Sequence, residues 1–215
     1  MDQEELRAAV DGAFADTGAD TPGWADPHPD RAPLDDEYSR CTDPGRYRIL
    51  AARADAWIRA LSGLGLATVD PGADPAGLWR YPQDPPPAEA VVLRPARADA
   101  LPLVFGFGAI DGVPRTVLLI GAGEPAVPVE TVPDCGCDAC DDGSDGILEL
   151  LDDAVTAVVT GTFTRVDAGA GRVVTETGES LSASNWPESA PVDAALADAR
   201  AGRSPHHVVR GPAWD

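Results

Sequence analysis

Val117-Leu118-Leu119-Ile120-Gly121-Ala122-Gly123-Glu124-Pro125-Ala126-Val127-Pro128-Val129-Glu130 admits two readings, and the choice between them decides the fold. In the first, an apolar strand runs into Gly-x-Gly-x-x-Ala, as at the start of a parallel dinucleotide-binding unit. That reading needs a helix to open at the glycines with its N-terminus facing a pyrophosphate. Pro128 follows too closely for such a helix, and Val127 to Glu130 reads as extended chain. The stretch is therefore two strands joined by a glycine turn.

Working outward, Ala90 to Leu93, Leu101 to Phe107, Thr116 to Ile120 and Val127 to Val132 are short β-type runs separated by Pro, Gly and Asp signals. The connections are too short for the crossovers that parallel pairing requires, so the pairing is antiparallel. Two strong helices flank this block. The first starts at Thr42-Asp43-Pro44, with proline suited to the first helical turn, and carries Tyr47, Leu50, Ala54, Trp57, Ile58 and Leu61 at helical spacing. Gly63 and Gly65 end it. The second carries Ile147, Leu148, Leu151, Val155 and Val158 on one stripe. Thr162 to Val166 and Arg172 to Thr175 form a hairpin, and Val192 to Arg200 is an Ala-rich helix. The expected fold is α+β, a mostly antiparallel sheet with two main helices packed on one face. Residues 1–36 read as an N-terminal helix, Glu4 to Ala15, followed by an irregular tether, and residues 37–215 as a single domain. Asp70 to Ala88, with Pro85-Pro86-Pro87, reads as a surface loop.

The 215 residues carry a net charge of −20, and all sixteen basic residues are arginine. The absence of lysine excludes Schiff-base chemistry and a phosphate-loop lysine. The charge opposes nucleic-acid binding, since no basic stripe offsets it. From Thr116 to Thr164 there is no basic residue, which gives an acidic half-surface suited to metal cations or to a basic protein partner, and raises the reading of an acidic inhibitor of such a protein. No apolar run is long enough for a membrane span, and the opening residues lack the apolar core of a signal peptide, so a cytoplasmic chain is expected.

Between the strands and the second helix lies Pro133-Asp134-Cys135-Gly136-Cys137-Asp138-Ala139-Cys140-Asp141-Asp142, which holds three of the four cysteines. In a cytoplasmic chain, Cys-x-Cys-x-x-Cys points to metal or redox chemistry rather than to a disulfide framework. Three thiols converging in one turn suit zinc, which favours thiolates and takes four ligands. Gly136 between the first two thiols removes a Cβ and permits a positive φ, which lets the backbone fold around a small ion. Cys41, His206, His207, Asp134, Asp138, Asp141 or a water are the candidates for the fourth position, and the metal set is read as Cys135, Cys137, Cys140 and Cys41. The rival is a thiol oxidoreductase or redox sensor using Cys137 and Cys140, whose neighbouring carboxylates oppose a bare thiolate. The third state is reduced, metal-free thiols in a packed turn. No serine-hydrolase elbow is present, and His28, between two prolines, reads as an exposed loop residue.

The ten-residue stretch resembles an uncharacterised bacterial protein family, a domain of unknown function with the hallmark Pro-x-Cys-Gly-Cys-Asp-Ala-Cys-Asp-Glu. Tyr38-Ser39-Arg40, Thr42-Asp43-Pro44, the Leu101 to Phe107 run and Val158-Val159-Thr160-Gly161-Thr162-Phe163 extend the similarity from Tyr38 to the C-terminus. Asp142 stands where the hallmark has Glu, and Cys41 where the family more often has an aliphatic residue. The resemblance implies a shared fold unit and no assigned reaction, so function has to be argued from the site.

Overall fold

The computed structural model describes residues 2–70, 74–75 and 77–215 and arranges them around two antiparallel sheets. The larger sheet is a meander of β1 (Ala67–Asp70), β2 (Glu89–Pro95), β3 (Leu103–Ile110), β4 (Val113–Gly123) and β5 (Ala126–Val132), each strand paired with its chain neighbours. Gly121 pairs with Pro128 and Gly123 with Ala126, so the glycines sit inside a hairpin and no helix follows them.

Side chains alternate across a strand, and this sheet uses both faces. Leu103, Phe105, Phe107, Leu118, Ile120 and Val132 point into the main core. There they meet α1 (Gln3–Thr17), α2 (Arg48–Gly63) and α3 (Ser144–Val159), with Leu6, Trp57, Leu61, Leu151 and Val155 buried between them. The two strong helices thus share one face of the sheet, as the periodicity implies. Their approach is fixed by charge as well as shape: Asp152 of α3 accepts from Arg53 Nε at 2.9 Å, Arg53 Nη2 at 2.7 Å and Trp57 Nε1 at 2.6 Å. Arg7 of α1 also pairs with Asp152.

The opposite face carries Val92, Val104, Val117 and Leu119 under Trp79. The 70–88 segment is therefore more than a surface loop. Its residues 71–73 and 76 lie outside the described residues, but Trp79, Pro85 and Pro87 roof the sheet. Backbone bonds from Arg80 N to Ala126 O and from Ala126 N to Leu78 O, both 2.8 Å, fix the roof to β5. A Cβ at Gly121 would lie 2.5 Å from the Trp79 ring, so glycine is required there for this close approach.

The smaller sheet has the order β8 (Ser180–Ser184), β7 (Val173–Thr177), β6 (Thr164–Asp167), β9 (His207–Arg210). The β6–β7 hairpin appears as the sequence suggests, but a second sheet with edges at β8 and β9 adds to the expected architecture. α4 (Val192–Arg200) packs Leu196 and Ala199 against Val166 and Val174 on one face of it. Among the described residues, no helix is long and apolar enough to cross a membrane.

Candidate metal centre

The cysteine segment is the junction between β5 and α3. Cis Pro133 follows Val132, a short 3-10 turn covers Asp138–Cys140, and Gly143, at φ 91°, leads into α3. The sulfurs of Cys135, Cys137 and Cys140 lie within 4.8 Å of one another. Cys135 and Cys137 sulfurs are 3.2 Å apart, and the Cys137 N–H points at the Cys135 sulfur at 3.5 Å. A tetrahedral zinc with Zn–S near 2.3 Å sets sulfurs about 3.8 Å apart, so the cluster is of the right size to close on one ion. All four cysteines are free thiols.

Gly136 does not supply a positive φ; its role is space. A Cβ there would lie 2.7 Å from Ile110 Cδ1, so the missing side chain lets the loop lie against β3. The rest of the loop is held from two distant segments. The Asp138 carboxylate accepts from Thr42 N at 2.8 Å, from the Thr42 hydroxyl and from Arg40 Nε at 3.0 Å, while its own N–H donates to Arg40 O at 2.8 Å. The Asp141 carboxylate, buried at 3% exposure, accepts from Trp24 Nε1 at 2.8 Å and Gly143 N at 3.0 Å and pairs with Arg46 Nη1 at 2.8 Å. The Arg46 guanidinium lies 5.4 Å from the Trp24 ring and 5.1 Å from the Tyr47 ring, in cation–π range of both. Trp24 also receives the Ser144 N–H on its carbonyl at 3.0 Å, which ties residues 24–26 to the first turn of α3.

These contacts change the electrostatics expected of the loop. Asp138 and Asp141 are already paired with Arg40 and Arg46, so they oppose the loop thiolates less than bare carboxylates would and are not spare ligands. Burial pushes the Cys137 thiol up, but hydrogen bonds from Cys135, Cys140 and the backbone of Cys140 and Ala139 outweigh it and bring the thiol below its ordinary value. Cys140, donating to Cys137 and partly desolvated beside Cys135, is pushed up to about 12. Of these two thiols, Cys137 is the one whose thiolate its neighbours favour.

Among the described residues, the 4.8 Å set holds three cysteines and no further Cys, His, Asp or Glu. Cys41 is half-buried against the main core, and burial pushes its thiol up. Asp134 is exposed beside Cys135. His207 lies on β9, opposite Asp167 of β6, and the His206 ring meets Trp186 edge-on at 6.0 Å.

His28 is not the exposed residue expected of a proline-flanked loop: its side chain is 7% exposed and its Nε2 lies 3.4 Å from Glu37. Glu37 is a buried anion that the sequence does not announce. It takes two bonds from Arg31, at 2.8 and 2.9 Å, and one from Leu34 N at 2.6 Å. The Arg31 bonds, then the Leu34 N–H, hold its carboxyl well below the usual range. A folded-state pKa that is depressed contributes stability fully above the unfolded value of about 4.3, and the contribution is lost as pH falls below it. Hydrogen-exchange protection of the Leu34 amide should persist down to about pH 5 and disappear in stronger acid, whereas Glu37→Gln should show no such acid step. Loss of protection on lowering the pH from about 7 to about 5 would contradict this account.

A model for a family of unknown function, DUF6226, matches residues 10–215. The chain belongs to that family. The match agrees with the resemblance in the sequence to a domain without an assigned reaction, and in this DUF6226 member it takes in the strap at Trp24, the turn at Arg40 to Tyr47 and the cysteine loop. No curated protein and no solved structure matches the chain.

Proposed function

We propose that Cys135, Cys137 and Cys140 bind one zinc ion, with a solvent molecule in the fourth position, and that the ion staples the sheet-to-helix junction of a non-enzymatic domain. The observation that carries the reading is the convergence of three reduced sulfurs within 4.8 Å in a loop whose buried carboxylate and Asp138 are already paired. A divalent cation replaces the remaining thiol protons and draws the three sulfurs into one tetrahedron. The stapled loop starts α3, whose exposed Asp145, Glu149 and Asp153 continue an acidic surface from Asp142. That surface is suited to a basic protein partner.

Protein purified without chelator is expected to hold one zinc per chain, with the three loop thiols protected from alkylation until the metal is removed. Metal-free protein in which Cys137 forms a reversible disulfide with Cys135 or Cys140 would favour the redox reading instead. A partner captured through the acidic face should be released as salt rises, because exposed charges are screened over about 8 Å at physiological ionic strength and less at higher salt. Capture that is indifferent to salt would count against that surface.

A further inference from the structure

The two faces of the smaller sheet do different work. Val166 and Val174 lie on the face closed by α4. Arg165 therefore points to the other side, where the register places Thr175 beside it and Ser182 beside Thr175, with Thr177 opposite Ser180 one step along. This face is not sealed, and Val129, Leu150 and Ala154 line the space above it together with polar groups. It floors a cleft of about 350 Å³ whose other walls are β5 and α3. A second cavity of about 440 Å³ adjoins it, sharing Asp153, Thr177 and Ser180.

Arg165 is the unusual group in the cleft. Its Nη1 reaches only the Pro128 carbonyl at 3.4 Å and the Thr175 hydroxyl at 3.3 Å, and its Nε is buried with no partner. Among the described residues, no carboxylate lies within 4.0 Å of it, whereas the half-buried or buried Arg46, Arg53 and Arg115 pair with Asp141, Asp152 and Asp55. A partly desolvated guanidinium with no bonded anion is costly, and burial pulls the pKa of Arg165 down, with Asp167 on the same strand acting on it from beyond ion-pair distance. Thr156, which lines the adjoining cavity, likewise keeps a buried hydroxyl without a partner. The same cleft is acidic elsewhere. Glu130 and Asp134 line it, and burial pushes the Glu130 carboxyl up. A dianion would be repelled by those carboxylates, and a simple cation would leave Arg165 unpaired.

We propose that this cleft binds a small zwitterion of the α-amino-acid class, with its carboxylate on Arg165 and the hydroxyls of Thr175 and Ser182, and its ammonium toward Glu130 and Asp134. The cavity is within the usual range for a small-molecule site, and one fixed guanidinium among hydroxyls is the donor set a carboxylate needs. The site stands independently of the zinc reading, although Asp134 places its rim next to Cys135.

The test is a calorimetric and NMR titration of the full chain with glycine, L-alanine, L-serine, L-glutamate and L-arginine singly, with acetate, inorganic phosphate and ethylamine as fragments. The expected result is saturable binding of at least one amino acid, about tenfold or more tighter than acetate or ethylamine, with a shift of the Arg165 Nε–H resonance. Arg165→Gln should weaken it about tenfold or more. Glu130→Gln should weaken the amino acid but not acetate, and this variant decides the matter if Arg165→Gln fails to fold. The titration is run on protein as purified and after chelation, because amino acids also ligate zinc. Binding lost on chelation, equal binding of acetate or phosphate, affinity unchanged in a folded Arg165→Gln or in Glu130→Gln, or no response to any amino acid would each overturn the proposal.

Discussion

Asp152→Ala lowers the unfolding free energy by about 3–5 kcal/mol, the cost of leaving a buried charge without its partner. Asp152 is 4% exposed and Arg53 5% exposed, so neither has water to fall back on. One carboxylate there answers two nitrogens of Arg53, the Trp57 indole and Arg7. Its removal strands donors from α1 and α2 at the place where α3 crosses them. Arg53 keeps Asp11 at 2.7 Å, but that carboxylate is 66% exposed and replaces little of the loss. The neighbouring Asp153 gives the control. Its side chain is 59% exposed and bonds Arg7 at 3.2 Å, so Asp153→Ala costs less than about 1 kcal/mol. Denaturant melts of the two variants check the contrast. Two variants of equal stability would show that the buried pair does not hold the helices. Replacing both Arg53 and Asp152 by apolar residues of similar volume should recover much of the loss, because the partner no longer has a charge to strand.

Cys137→Ser is expected to cost several kcal/mol in metal-bound protein, since the substitution removes a metal–thiolate bond and the free energy of binding is free energy of folding. In a loop that is only packed, the same near-isosteric swap costs about 1 kcal/mol for a hydroxyl with an imperfect partner. Thermal melts with and without chelator separate these outcomes. The wild type should lose stability when the metal is stripped, and the variant should melt at the same temperature in both conditions. A wild-type melt that ignores chelator, in protein that retains no metal, would sink the zinc staple.

What could be read in the sequence was whatever is local. The meander was legible because its strands are apolar runs divided by turn residues, and α3 because Leu151, Val155 and Val158 repeat at helical spacing. The three loop cysteines were legible because their convergence needs only one turn of chain. β8 was not, because Ser180-Leu181-Ser182-Ala183-Ser184 alternates with only one large apolar residue, and all five of its residues are exposed and mostly small and polar. The roof over the outer face was hidden by prolines, which signal a loop without saying what it covers, although Trp79 among them was a hint. Charge pairing was the least legible feature. Arg40 meets Asp138 across 98 residues and Arg53 meets Asp152 across 99, and nothing in local periodicity connects them. Two of the four carboxylates of a loop with no basic residue near it in sequence, Asp138 and Asp141, therefore proved to be paired in space.

The bond from the Trp24 indole to Asp141 spans 117 residues. A ribosome adding about 5–20 residues each second delivers the second partner on the order of ten seconds after the first. Through that interval the strap has no acceptor. When residues 135–140 emerge, their thiols are already near one another along the chain, whereas docking the strap must first overcome the entropy of closing a long loop. If the loop takes up the proposed ion, the nascent chain is able to bind it before its N-terminal segment docks, and assembly of the junction then has a built-in order: coordination early, the tryptophan clasp last.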